Sequence, residues 1–269
     1  MKPVYRSFFG LTREPFSSEI TGEEILQTPE VIAVSDRFDY AVRLGAMALV
    51  TGEVGSGKST ALRFAVSRLH PSEYRPLWIT ATSGSILELY RQLSSELEID
   101  TASSSREVLT RIIRRQIVEL TTARKQKPVL IIDEASLLRL DVFTELHTIT
   151  QFEGDSKPLL SIILSGQNNL VDLLLYRTSI SLASRIIAKS HLKGVSRQDM
   201  ELYLHHHLTI AGIKHQLFSE PAVTAIHQGS GGLFRRANHL ARGALIAAAD
   251  EKVDQVSPEH VRLPSTERI

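Results

Sequence analysis

This sequence predicts an α/β fold, a parallel sheet with helices on both faces, followed by a small all-helical domain. Three observations carry the prediction. Short apolar runs that read as buried strands alternate with helical stretches of about 10–15 residues through the first part of the chain. A glycine-rich turn joins the first of these runs to the helix that follows it. After about residue 195 the strand-like runs cease and helical periodicity continues alone.

The opening stretch, Tyr5 to Phe16, holds four aromatic residues within twelve positions and is expected to dock on a core as an N-terminal segment, 1–30. Residues 31–44 read as a helix. Ala46–Val50 is an apolar run that stops at Thr51-Gly52, the pattern of a buried strand. A second helix starts near Lys58 and ends before Pro71. Pro76–Thr80 is the next strand, with Trp78 expected in the core, and helical segments follow at about 85–98 and 105–123. Pro128–Asp133 is a third buried strand, and Pro158–Leu164 contains a fourth. The stretch Gln151–Lys157 between them reads as an exposed connection. Strands separated by such helices pair in parallel and are buried on both faces. Helices at roughly 196–212, 219–229 and 234–250 then complete a division into a core, 31–193, and a helical lid, 194–269.

Composition removes whole classes of function. With 269 residues, 42% of them hydrophobic, the chain can bury a substantial core. The absence of cysteine rules out disulfides, thiolate-bound zinc, iron–sulfur clusters and a cysteine nucleophile. The longest apolar runs, such as Val129–Ile132, fall far short of the roughly 18 residues of a membrane helix. The first residues lack the apolar region of a secretory signal, so a cytoplasmic location is expected. A net charge of +1 argues against a broadly basic nucleic-acid binder. That average hides a polarised distribution. Residues 106–127 hold seven basic against two acidic residues, a net +5, so the rest of the chain sums to −4.

The chemistry concentrates in two motifs. Gly52-Glu53-Val54-Gly55-Ser56-Gly57-Lys58-Ser59 fits the phosphate-binding P-loop pattern, between a predicted strand and the helix that contains Thr60. In that setting backbone N–H groups converge on phosphates at a helix N-terminus. Lys58 supplies a point charge to the β- and γ-phosphates, and the Ser59 hydroxyl is suited to Mg2+. Asp133, ending the third strand, is placed to hold the Mg2+ water shell. Glu134, one residue on, is placed to polarise an attacking water, which points to ATP hydrolysis rather than passive binding.

Together these motifs and the helical lid resemble the AAA+ ATPases. The resemblance sharpens on Tyr5-x-x-Phe8-Phe9-Gly10-Leu11-x-x-x-Pro15-Phe16, on Ile131-Ile132-Asp133-Glu134-Ala135, on Ser165-Gly166-Gln167 and on Ser230-Gly231-Gly232-Leu233-Phe234-Arg235. These are similar to the ExeA-type branch, which includes secretion ATPases and resembles the TniB, TnsC and MuB-like partners of transposases. The resemblance implies that Gln167, or else Ser165, acts as sensor 1. It implies that Arg235, or its neighbour Arg236, acts as the lid sensor, although the family more often has Pro where this chain has Phe234. In AAA+ rings a neighbour's arginine completes the site; Arg185 is the first candidate and Arg177 the second.

ExeA-like secretion proteins carry a membrane segment and a cell-wall-binding region after the ATPase. The chain reaches Ile269 with no such segment, so the resemblance favours a transposition regulator that oligomerises with ATP, as a ring or filament, on duplex DNA and recruits a transposase. The secretion-assembly ATPase and a slow-turnover nucleotide switch are the alternatives. Arg106, Arg111, Arg114 and Arg115 lie largely opposite the apolar face of their predicted helix and are the candidate DNA contacts. Lys2, Arg6 and Arg13 in the aromatic start are further candidates for contact with DNA or a neighbour. His205-His206-His207 does not read as a metal site, because adjacent helical residues point about 100° apart.

Overall fold

The computed structural model describes residues 4–266. The chain divides into two compact units: a sheet unit, Pro29–Gly52 with Lys58–Leu192, and a helical unit, Met1–Thr28 with Glu53–Gly57 and Lys193–Ile269.

Within the sheet unit, α1 having been spent on the other unit (Val4–Phe8), the chain forms α2 (Pro29–Arg43), β1 (Met47–Gly52), α3 (Lys58–Ser67) and β2 (Tyr74–Thr80). It continues through α4 (Ile86–Glu96), α5 (Arg106–Thr122), β3 (Lys127–Asp133), α6 (Leu140–Ile149) and β4 (Ser161–Gly166). The last elements are α7 (Asn169–Leu175), α8 (Ile180–Ala183) and β5 (Ile186–Leu192). All five strands are parallel, in the order β2-β3-β4-β1-β5. The three central strands are the ones that read as continuous apolar runs. Every residue of β1 and β4, and all of β3 after Lys127, is buried.

The order places helices by handedness. From β1 the chain moves to the far β2 edge, whereas every later crossover runs back in the opposite direction. Right-handed crossovers therefore put α3 on one face and the later helices on the other. The major core collects Leu49, Leu130, Ile132, Ile162 and Leu164 of the sheet with Tyr90 and Leu93 of α4, Ile113 and Ile117 of α5, and Phe143 and Leu146 of α6. At about 1.5–3 kcal/mol per fully buried side chain, this layer dominates the unit's hydrophobic stabilisation. The reversal of direction creates a crevice at the carboxyl ends of β1 and its neighbours, where open α/β sheets bind ligands.

Three expectations change here. Trp78 is only partly buried, on β2 at the edge of the sheet. Residues 151–157 are not simply an exposed connection: Phe152 is 3% exposed and belongs to the core, and it bridges Lys157 across a tight turn. The unit also has a fifth strand, β5, and helices α6, α7 and α8 beyond the predicted elements. Residues of β5 alternate between covered and exposed, so Lys189 and His191 break the apolar run that marks the inner strands.

The helical unit contains α1, α9 (Arg197–Ile210), α10 (Glu220–Ser230), α11 (Phe234–Asp250) and α12 (Pro258–Thr266). Local caps explain two of the starts. Ser196 Oγ accepts from the Asp199 N–H, and Ser219 Oγ accepts from the Ala222 N–H with Pro221 in the first turn. The opening aromatic segment is part of this unit: Tyr5, Phe9 and Phe16 pack with Met200, Leu204, Phe218, Leu240 and Ala244. Phe8, by contrast, stays 37% exposed. Lys2 lies outside the described residues.

Candidate nucleotide site

In the sheet unit the site is built at the carboxyl end of the central strands. β1 terminates at Gly52 and α3 begins at Lys58, whose Nζ donates to the Gly52 carbonyl at 3.0 Å while the side chain is buried. β3 terminates at Asp133. Its Oδ2 accepts from the Ser59 hydroxyl at 2.6 Å, and its Oδ1 accepts from the Ser165 hydroxyl at 2.9 Å and the Glu134 N–H at 3.0 Å. The sheet register makes this convergence unavoidable. Ile132 lies beside Leu164, so the residues that follow them, Asp133 at the end of β3 and Ser165 within β4, come side by side. A buried carboxylate with no partners would be strongly disfavoured; three donors offset that cost. The Ser59 hydroxyl and the Asp133 carboxylate are hard oxygen donors on adjoining atoms, the donor chemistry that fits Mg2+.

Glu134 has a left-handed backbone, φ 53° and ψ 32°, uncommon for a residue with a long side chain. Such a conformation costs about 1–3 kcal/mol and persists only where its surroundings impose it. Here the chain turns from β3 into a short 3-10 turn, Ala135–Leu137, and the Glu134 N–H is fixed by Asp133. The turn is tied to β4 because the Gln167 N–H donates to Ser136 Oγ at 3.3 Å. Of the two sensor 1 candidates, Ser165 reaches the Asp133 carboxylate, whereas Gln167 lies just past β4 with an exposed side chain. Strand alternation turns residue 165 toward the end of β3.

In the helical unit the loop Glu53–Gly57 lies against the start of α11. The Arg235 N–H donates to the Gly55 carbonyl at 3.3 Å. Gly55 and Gly57 have φ of 84° and 93°, a region few side chains tolerate. A β-carbon on Gly55 would also come within 2.7 Å of Arg235 Cβ, and one on Gly57 within 3.1 Å of the Phe234 ring. Val54 is exposed, and Ser56 is buried with its hydroxyl lacking a hydrogen-bond partner among the described residues. Arg236 is exposed, and the loop contact falls on Arg235. Ser59 and Thr60 extend the motif into α3.

The remaining candidates lie elsewhere. Arg185 immediately precedes β5, and its carbonyl accepts from the N–H of Met47, the first residue of β1. Six residues of β1 at about 3.3 Å each separate it from the loop that ends the strand. Its guanidinium pairs with Asp155 at 2.5 Å. Arg177 is exposed in the turn between α7 and α8. Two of the four α5 arginines serve the fold itself. Arg106 pairs with Glu145, while Arg114 donates to the carbonyls of Thr148, Ile149 and Gln151 and covers the Phe152 ring at 4.5 Å. Arg111 and Arg115 are exposed on the outer face. Arg6 donates to the Thr12 carbonyl, and Arg13 pairs with Glu24. His205, His206 and His207 diverge. His207 is buried against Tyr203 and Phe16, and burial holds its imidazole at a pKa of about 4, while His206 bonds the Glu24 carbonyl. No cluster of three or more His, Cys, Asp or Glu side chains able to hold a metal ion exists among the described residues.

Comparison with known proteins agrees with this geometry. Residues 42–174 match the family model described as AAA domain. The chain is 32% identical over 254 residues to General secretion pathway protein A of Aeromonas hydrophila, a match covering 91% of this chain and 45% of that protein. It thus spans about half the length of the curated relative it matches. Among solved structures it resembles Cdc6p from Pyrobaculum aerophilum, with a TM-score of 0.75 at 16% identity over 94% of this chain and 70% of the other. It also resembles the Thermotoga maritima RuvB Holliday junction branch migration motor, with a TM-score of 0.57 at 16% identity over 91% of this chain and 71% of the other. At those identities the likeness is one of fold: a five-stranded parallel P-loop sheet flanked by helices.

Proposed function

We propose that this chain, which carries an AAA domain over residues 42–174, binds ATP with Mg2+ at the carboxyl end of its sheet and hydrolyses it. One observation carries the reading. The Asp133 carboxylate is gripped by the hydroxyls of Ser59 and Ser165, with the strained Glu134 held directly beside it. Backbone N–H groups of Gly55 to Ser59 and the Lys58 ammonium bind the phosphates. Ser59 and Asp133 hold Mg2+, which when bound neutralises phosphate charge. Glu134 accepts the proton of the water that attacks the γ-phosphate, and Gln167 or Ser165 orients that water. Arg235 of the lid senses the nucleotide. Lys58→Ala is expected to weaken ATP binding by at least about 100-fold, measured by fluorescent-nucleotide titration. Binding at the wild-type level would remove Lys58 from the site.

The chain works as an ATP-dependent homo-oligomer, ring or filament, in which Arg185 of one copy completes the next copy's site; Arg177 is the second choice. The length of β1 supports this, because Arg185 is too far from its own phosphates to serve them. Two uses of that oligomer follow. Similarity to General secretion pathway protein A supports an ExeA-like role in secretion assembly, with a membrane-bound partner. No helix among the described residues is long and apolar enough to cross a membrane. The exposed Arg111 and Arg115 on α5 support the second use, a transposition regulator that assembles on duplex DNA and recruits a transposase. In either use the need for ATP argues for a cytoplasmic site of action. Steady-state ATPase activity with and without duplex DNA separates them. Stimulation that falls with salt supports the DNA reading, and its absence, together with retention on membrane components, supports the secretion reading.

A further inference from the structure

We infer that Phe234 is a positioning residue for the P-loop, holding the loop from behind so that its amides are already converged when a nucleotide di- or triphosphate arrives; this rests on the proposed nucleotide reading. The argument starts from an unmet need of α11. Its N-cap, Leu233, has no side chain able to accept from the first-turn amides. One of those amides, on Arg235, instead donates to the Gly55 carbonyl, so the loop caps the helix. A loop whose N–H groups gather toward phosphates turns carbonyls outward, and such carbonyls need donors of their own.

Phe234 supplies the second hold. Its ring covers Gly57 so closely that even a β-carbon there would crowd it. The ring is braced in turn. It lies 4.4 Å from Tyr203, which lies 4.5 Å from the buried His207 and donates its hydroxyl to Asn238 Oδ1 at 2.9 Å. The backing is therefore a rigid aromatic column rather than a mobile side chain. A proline at this first helical position would suit the helix start but would present no aromatic ring to Gly57. Loop order established before binding lowers the entropic cost of binding and raises affinity without any direct ligand contact.

Phe234 packs on the glycine, so its effect is expected to be the same for ATP and ADP. Arg235, if it senses the nucleotide, discriminates between them. The test uses the full chain with Phe234→Ala, Phe234→Tyr and Arg235→Ala. In nucleotide-free protein, amide hydrogen exchange over 53–58 is expected to quicken about tenfold in Phe234→Ala, the effect of freeing a residue or so of backbone. Phe234→Tyr, which keeps the ring, is expected to match wild type. Affinity for fluorescent ADP and ATP is expected to fall about tenfold for both in Phe234→Ala, against a larger loss for ATP in Arg235→Ala. Wild-type exchange over 53–58 in a folded Phe234→Ala protein overturns the inference, as does a loss confined to ATP. Should wild type bind no nucleotide, the functional reading fails, and the exchange measurement still decides whether Phe234 orders the loop.

Discussion

The two ends of the sheet are built from the same five strands and have opposite characters. At the carboxyl end, Asp133 is buried and accepts from Ser59, Ser165 and the Glu134 N–H, and Glu134 is strained beside it. At the amino end lies an open cavity of about 550 Å3, lined in part by Met47, His147, Asp155, Pro158, Arg185 and Ile187. Its charges form one ion pair, Arg185 with Asp155, and the acidic partner is 48% exposed. With Arg185 itself 24% exposed, a pair of this kind stabilises by about 1 kcal/mol. One end gathers hydroxyls around a buried carboxylate; the other holds Arg185 at the opposite end of β1 from Gly52, the separation on which the proposed action of Arg185 on a second copy rests.

The largest effects break that contrast from the carboxyl end. Glu134→Gln is expected to lower turnover about 10^3-fold while ATP affinity stays near wild type, read by phosphate release and nucleotide titration. Parallel loss of affinity would mean that Glu134 shapes the pocket instead of activating water. Next comes the amino end. Arg185→Ala is expected to reduce turnover about 100-fold with unchanged nucleotide affinity and only a small change in melting temperature. Loss of affinity at low protein concentration would place Arg185 in its own chain's site.

A smaller effect sharpens the picture of the carboxyl end as strained. Glu134→Asn puts a residue that tolerates left-handed backbone at φ 53°. Stability to urea is expected to rise by about 0.5–1 kcal/mol while hydrolysis is lost. Destabilisation instead would show that the Glu134 side chain, and not the backbone, sets the balance. The smallest effect is one of pH at the amino end. Burial first, and then the Arg185 guanidinium, hold the His147 imidazole below its ordinary value, against a smaller opposing pull from Asp155. Because the folded state disfavours the proton, stability from this site is complete above the ordinary imidazole value of about 6.5 and is lost as pH falls below it. His147→Leu is expected to flatten the acid limb of a melting-temperature profile between pH 7 and 5.

Much of this was legible in the sequence, for identifiable reasons. The central strands announce themselves because burial on both faces demands unbroken apolar runs, as in Val129–Ile132. The P-loop and the Asp133-Glu134 pair are local in sequence and sit where a strand ends. Helix α11 runs over the predicted residues, 234–250, because its apolar stripe is continuous. What escaped depends on partners distant in sequence. β5 carries Lys189 and His191 on its uncovered side, so its alternation is diluted. Arg106 and Arg114 look like a free basic stripe until Glu145 and the carbonyls of residues 148–151 arrive from α6 and its end. The joining of Ser165 to Asp133 follows from a register that only the assembled sheet supplies.

In the proposed oligomer the amino end of one copy serves the carboxyl end of another, and mixing tests that proposal most directly. Glu134→Gln protein keeps Arg185 but lacks the base, and Arg185→Ala protein keeps the base but lacks the arginine. Each alone is expected to be nearly inactive, and an equimolar mixture with ATP is expected to regain turnover that neither shows. A mixture no more active than its components, at concentrations where wild type turns over, would contradict the account.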